Sequence, residues 1–178
     1  SFFPVLILSI GSLGYLLAGK LLEKLRLATL FGLVLIACSA WAAVRLADSS
    51  GAVEYGFVVN TFSRLLACVA CAGALLSIVG TSASLEREEI SMVSEYYYLM
   101  LTSLCGALIM IFASDFLTLF IGVEVASLAL YCLCAARVLH RRSSEASMKY
   151  FLLGCFSSAF LLYGIALWYG ATGSLSIA

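Results

Sequence analysis

The chain is partitioned by its charges. Between the clusters KLLEKLR (20–26), RLADSSGAVEYG (45–56), SLEREEISMVSE (84–95) and RVLHRRSSE (137–145) lie apolar runs about as long as a bilayer-spanning helix. Inside hydrocarbon every backbone N–H and C=O must find a partner within the protein, and a helix of about 20 apolar residues is the simplest segment that achieves this. The runs predict helices at about 2–19, 27–45, 60–82, 96–113, 115–136 and 144–169. Only ASD at 113–115 joins the fourth to the fifth, so these two must be antiparallel neighbours. The fold class read from this pattern is all-α: a polytopic helical membrane protein with about six transmembrane helices.

Composition supports the same class, with 63% hydrophobic and 11% charged residues against about 45–50% and about 25% in soluble domains. Ten basic residues balance ten acidic ones, which gives no reason to expect nucleic acid or an acidic substrate as partner. The opening SFFPVLILSIGSLGYLLAG carries no charge before Lys20, whereas a secretory leader needs a basic start, so it reads as a retained helix. The missing initial Met suggests a processed or trimmed N-terminus. No Pro-rich or Ser-rich linker, low-complexity tract or repeat interrupts the chain, and a single transmembrane helical domain spanning 1–178 is expected, with membrane lipids around it.

Basic residues collect on the cytoplasmic or matrix side of membrane proteins. With alternate loops on the same side, Lys20, Lys24, Arg26, Arg87, Arg137, Arg141 and Arg142 fall together, and only Arg45 and Arg64 fall opposite. Both termini are therefore expected on the periplasmic or intermembrane-space side. The three tyrosines of SEYYYLML (94–101) suit the headgroup level, where ring and hydroxyl each find their medium. Cys38, Cys68, Cys71, Cys105, Cys132, Cys134 and Cys155 all lie in apolar stretches and read as small packing residues. CVAC at 68–71 has metal or redox spacing, but no second Cys pair or His cluster accompanies it, so no metal is expected.

One acid interrupts the greasiest part of the chain. In DFLTLFIGVEVASLALYCLC (115–134), Glu124 stands nine residues after Asp115, roughly 13 Å along a helix and near the midplane of a core about 30 Å thick. A carboxyl at that depth costs on the order of 3 kcal/mol, which asks for a reason. At about 100° per residue, Ser127 and Tyr131 share the Glu124 face while Gly122 and Asp115 point away. One acid and two hydroxyls form a polar stripe able to hold a file of water. Burial favours the protonated carboxyl and a nearby cation favours the ionised one, so an acid between the two influences can relay protons. The bland reading is a protonated or ion-paired Glu124 that fastens two helices. Asp115, at a helix start, reads as an N-cap.

The sixth helix is expected to open with Ser143 or Ser144 as N-cap and Glu145 in its first turn. Lys149 follows Glu145 at i+4, where a surface pair or snorkelling to the interface explains it. Counted from the expected helix ends, Lys149 and Glu124 differ in depth by roughly 10 Å, too far for a direct ion pair. His140, beside Arg141 and Arg142, could exchange protons with solvent on the basic side, although a loop histidine is more often merely solvated.

The region 95–178, EYYYLML…ASDFLTLFIGVEVASLALYCL…SSEASMKYFLLGCFSSAFLLYGIALWYGATGSL, resembles the antiporter-like subunit N of proton-pumping NADH:quinone oxidoreductase, respiratory complex I, called subunit 2 in mitochondria. The spacing of Glu124 and Lys149 and the YFLLG…LYG…YGATGSL wording carry the likeness, while 1–94 agrees mainly in helix count, orientation and the TFSRLL that begins at Thr61. The resemblance implies three N-terminal helices (1–94) followed by the first three helices of the first antiporter-like repeat (95–178), the start of an inverted-repeat fold. It implies that Glu124 and Lys149 serve proton translocation, with Ser127, Tyr131 and His140 as further candidates from the residues themselves. It implies no flavin, iron–sulfur or quinone chemistry, and so no cofactor, in this chain. Other membrane-arm subunits of complex I are the implied partners.

Family members are usually more than about twice this long, with about fourteen helices in two inverted repeats. The interrupted seventh helix with its buried lysine and the later channel residues are missing here, so this chain alone is not expected to pump. Either it is a fragment or a second polypeptide supplies the remaining helices, and a split mitochondrial subunit, in the inner membrane, is the reading favoured; a bacterial cell membrane is the alternative. Two other functions stay open: a component of a multisubunit cation/proton antiporter, and a structural or assembly subunit without a proton pathway of its own. A hydrolase gains no support, because no nucleophile–base constellation or Gly-rich phosphate loop appears.

Overall fold

A computed structural model describes residues 3–17, 25–45, 57–88, 93–137 and 140–177. They form six helices: α1 (Phe3–Leu17), α2 (Leu25–Arg45), α3 (Thr61–Glu88), α4 (Val93–Phe112), α5 (Phe116–Cys134) and α6 (Arg141–Thr172). Four contain segments long and apolar enough to cross a membrane: Thr61–Ser82 of α3, Val93–Phe112, Phe116–Cys134 and Arg141–Thr172. The apolar stretches within α1 and α2 are shorter, at Pro4–Gly14 and Thr29–Ala42. The charged connections at 20–24, 46–56 and 89–92, with Lys20 and Lys24, lie outside the described residues.

Helix α4 is the hub. It packs against α1, α2 and α3 on one side and, most extensively, against α5 on the other, while α6 leans on α5. Its inward residues Tyr97, Leu101, Leu104, Leu108 and Phe112 recur every three or four positions, and they close on Val5 and Leu8 of α1, Ile36 of α2, and Ala67, Cys71 and Ile78 of α3. Lipid tails are as apolar as leucine, so the gain in such a core comes from close packing rather than from escape from water. Tyr97 corrects one expectation: it is fully buried in this core, leaving only Tyr96 and Tyr98 half-exposed for an interfacial role. Cys71 and Cys105 are core residues too, with the Cys71 thiol 3.8 Å from the Ser39 hydroxyl, whereas Cys38, Cys132, Cys134 and Cys155 lie on open faces.

The α4–α5 contact is backbone on backbone. A Cβ at Gly106 would stand 2.5 Å from the Ala126 amide nitrogen, and one at Gly122 would stand 2.8 Å from that of Met110. Gly122 and Ala126 form a small-x-x-x-small pair on α5, the pattern that lets membrane helices approach closely.

The turn between these helices is held from both sides. Asp115 caps α5, its carboxylate accepting from the Thr118 amide at 2.7 Å and the Thr118 hydroxyl at 2.8 Å, as a helix-start acid should. The Val58 amide donates to the last carbonyl of α4, Phe112, at 2.8 Å, and the Phe116 amide donates to Leu175 at 2.9 Å. Helix ends leave such groups orphaned, and here two extended segments supply the partners.

Helix α6 begins three residues before the expected start. His140, not Ser143 or Ser144, is the N-cap, without a side-chain cap bond, and Glu145 falls in the second turn. The Ser143 hydroxyl instead donates back to the Cys134 carbonyl, tying the first turn of α6 to the last turn of α5. The helix continues to Gly173, whose left-handed φ of 69° ends it.

The close crossing can be tested directly. Gly106→Ala should lower stability by about 1–3 kcal/mol, seen as a lower thermal unfolding midpoint in detergent. Gly164→Ala, with nothing within 4 Å of its Cβ, should leave the midpoint unchanged or raise it.

Candidate functional site

The α4 contact orients everything on the opposite face of α5. Gly122, Ala126 and Ala129 are buried, and Glu124 lies about 160° around the helix from Gly122 and Ala126, as two residues of helical rotation require. Glu124 is half-buried, and its Oε1 is buried with no hydrogen-bond partner among the described residues. Ser127 is half-buried and Tyr131 is 8% exposed.

Helix α6 covers part of that face. At the Asp115 end of α5, the ring of Phe116 meets Trp168 edge-on at 5.7 Å. At the basic end, Tyr131 meets Tyr150 at 4.8 Å and Phe151 at 5.6 Å, both near perpendicular. Such edge-to-face pairs contribute about 0.5–1.5 kcal/mol each beyond area burial. The Ser147 hydroxyl donates to the Tyr131 carbonyl at 2.9 Å, so the aromatic contact is pinned by a hydrogen bond.

These bonds fix the register of the two antiparallel helices. Ser143 answers Cys134 and Ser147 answers Tyr131; each step up α6 is a step back along α5, and Gly154 stands level with Glu124. Lys149 is then five residues short of that level, or roughly 7 Å. The expected depth difference of roughly 10 Å shrinks because both helix ends moved. The pairing itself follows expectation. Lys149 Nζ bonds Glu145 Oε1 at 2.6 Å, with side chains 70% and 57% exposed, so the lysine is drawn to the surface away from Glu124. A pair that open contributes only a few tenths of a kcal/mol. His140 is exposed at the mouth of α6, its amide donating to Arg137 and its carbonyl accepting from Ser143 and Ser144.

The structure therefore brings Glu124, Ser127 and Tyr131 onto one face, and keeps Lys149 and His140 toward the basic end. Sequence reading missed Gly154. A Cβ there would stand 1.8 Å from the Tyr131 hydroxyl oxygen, so the phenol occupies the space a side chain would fill. The glycine was visible in YFLLGC, but its partner depends on a register that only the folded pair reveals.

Residues 113–178 match the family described as NADH:quinone oxidoreductase/Mrp antiporter, transmembrane. NADH-quinone oxidoreductase subunit N of Cupriavidus taiwanensis is 38% identical over 149 residues, covering 82% of this chain and 30% of the relative. That of Myxococcus xanthus is 36% identical over 176 residues, covering 96% and 34%. The chain is similar to part of NADH-quinone oxidoreductase subunit N. A chain of respiratory complex I from Thermus thermophilus shares its fold at a TM-score of 0.82 and 30% identity, over 98% of this chain and 38% of that one. The chain spans about a third of the length of the subunit N relatives it matches. The likeness to subunit N reaches α1–α3 as well as the family segment, which is wider than the region whose wording carries the resemblance. The transmembrane family description agrees with the four membrane-span candidates, and the chain is a multi-pass membrane protein.

If Glu124 were a fastening between helices, removing it would loosen the bundle. Because its Oε1 is buried without a partner among the described residues, Glu124→Leu should instead leave stability unchanged or raise it by about 1 kcal/mol. Tyr131→Ala, which empties the aromatic contact, should cost about 3 kcal/mol. Thermal unfolding of both variants in detergent checks the contrast.

Proposed function

We propose that this chain contributes to proton translocation in the membrane arm of a respiratory complex I, driven by NADH oxidation with quinone in other subunits. It is a non-redox subunit in this reading, with no independent catalytic activity. The observation that carries the proposal is Glu124: a carboxyl at mid-helix depth, turned away from the α4 contact, with a buried oxygen that no described group satisfies. Such a group is costly and is retained where a proton must be held and passed on.

In this reading Glu124 holds the proton, Ser127 and Tyr131 extend the polar stripe toward the basic side, and water bridges the gaps. Lys149, paired with Glu145 at the surface, tunes the charge at the basic end, and His140 exchanges protons with solvent there. The cation that would share the proton of Glu124 comes from helices outside this chain, whether a continuation or a second polypeptide. Other membrane-arm subunits are the partners. The quoted relatives are bacterial, which supports a bacterial cell membrane over the mitochondrial inner membrane. The basic residues gathered on the opposite side support a periplasmic N-terminus.

Glu124→Gln in the assembled complex tests the proposal. The ratio of protons moved to NADH oxidised should fall by at least half, and an unchanged ratio refutes the relay. Lys149→Met should lower turnover more mildly, by less than about threefold, because its present partner is a solvent-exposed acid.

A further inference from the structure

Tyr131 is set in the α5–α6 seam in a way that its place in the sequence does not explain. Helical side chains lean toward the N-terminus of their own helix. Tyr131 therefore projects from the level of Ser147 back toward the level of Glu124. Its ring meets those of Tyr150 and Phe151 near perpendicular, with centroids at 4.8 and 5.6 Å, and its hydroxyl ends where a Gly154 side chain would begin. The α5–α6 register, fixed by the Ser143 and Ser147 bonds, puts Gly154 level with Glu124. The phenol thus points toward the depth of Glu124, on the side of α5 that faces α6, and stops short of it. Seven residues are about 10 Å of helix, longer than a tyrosine side chain, so the carboxyl, whose Oε1 has no partner among the described residues, lies at least one water beyond the hydroxyl.

We infer that Gly154 is a positioning residue for proton transfer: by carrying no side chain, it lets the Tyr131 hydroxyl extend along the seam toward Glu124 and, through water, hand protons between that carboxyl and the basic side. This inference rests on the function proposed above. The transfer itself is a simple exchange along hydrogen bonds. The hydroxyl accepts a proton from a protonated water on the basic side, which becomes neutral water, as it gives its own to a second water that passes one of its protons to the Glu124 carboxylate, and it returns to its starting state by rotating, with no net change in Tyr131. Any other residue at 154 would push the ring, since its Cβ would meet the phenol oxygen at 1.8 Å and the ring carbon that bears it at 2.5 Å. Glu124 and Tyr131 would keep their identities and lose their alignment.

The test uses the assembled complex carrying Gly154→Ala, Tyr131→Phe, or both, with Glu124→Gln as reference. Three readouts separate positioning from plain structure: assembly on native gels, NADH:ferricyanide activity of the redox arm, and protons moved per NADH oxidised. Gly154→Ala should assemble, keep the ferricyanide activity, and lower the proton ratio at least twofold. Tyr131→Phe should do the same, and the double variant should fall no further than either single one. A full proton ratio in assembled Gly154→Ala overturns the inference, as does a double variant whose losses multiply. If Gly154→Ala does not assemble, Tyr131→Phe decides, because it keeps the ring and removes only the hydroxyl: a full proton ratio there overturns the inference, and a halved one supports it. An unchanged ratio in Glu124→Gln sinks the proposed function itself, whereas a reduced one beside a normal Gly154→Ala sinks only the role of Gly154.

Discussion

Two glycines bring α4 and α5 into backbone contact, and the position of every functional candidate on α5 depends on that contact. With Gly106 and Gly122 facing each other and Ala126 beside them, rotation of α5 about its axis is fixed, because turning it would drive a larger side chain into the α4 backbone. Glu124 is consequently held on the far side. Lipid offers no hydrophobic drive for helix association, so dispersion across a close crossing is what keeps the rotation. The turn at 113–115 fixes the other degree of freedom: the Asp115 cap and the backbone bonds to Val58 and Leu175 set the height at which α5 begins. Rotation and height together place the carboxyl.

The seam between α5 and α6 is built on different physics. It has aromatic edges at both ends, Phe116 with Trp168 and Tyr131 with Tyr150 and Phe151, and serine hydroxyls donating to α5 carbonyls at the basic end. Hydroxyl-to-carbonyl bonds between membrane helices are individually modest, but they are directional. They fix which residue of α6 stands beside which residue of α5. Here the outcome is that the smallest residue of that stretch, Gly154, meets the longest reach of Tyr131.

Much of the fold could be read from the chain because charge and hydrophobicity act locally. Six helices emerge where the apolar runs predicted them, and Asp115 caps α5 because an acid before a helix start finds free amides. The misreadings have local causes as well. α3 runs on to Glu88, since LERE favours helix and contains neither Gly nor Pro to stop it. α6 opens at Arg141 because the Ser143 hydroxyl is used across the seam instead of capping its own helix. Tyr97 differs from its neighbours because α4 turns that residue inward toward the core. Glu124 was conspicuous as the lone acid in an apolar run; its neighbourhood was not, since helix-to-helix register is a property of the pair.

The environment of Glu124 sets a condition on any mechanism that uses it. α4 lies behind it and α6 covers one flank, but Ile121 and Leu128, on the turns above and below, are both exposed. α6 itself buries only Ile165 among its described residues. Acyl chains could cover those leucine and isoleucine faces at no cost, yet they offer nothing to an ionised carboxylate, which at that depth needs water or a cation. A neutral Glu124 is compatible with lipid on its open flank; a Glu124 that alternates between neutral and charged is not. Proton transfer at this residue therefore requires that the flank bearing Ile121 and Leu128 be closed by protein or hydrated, and a group arriving on that flank could also meet the buried oxygen that has no partner among the described residues.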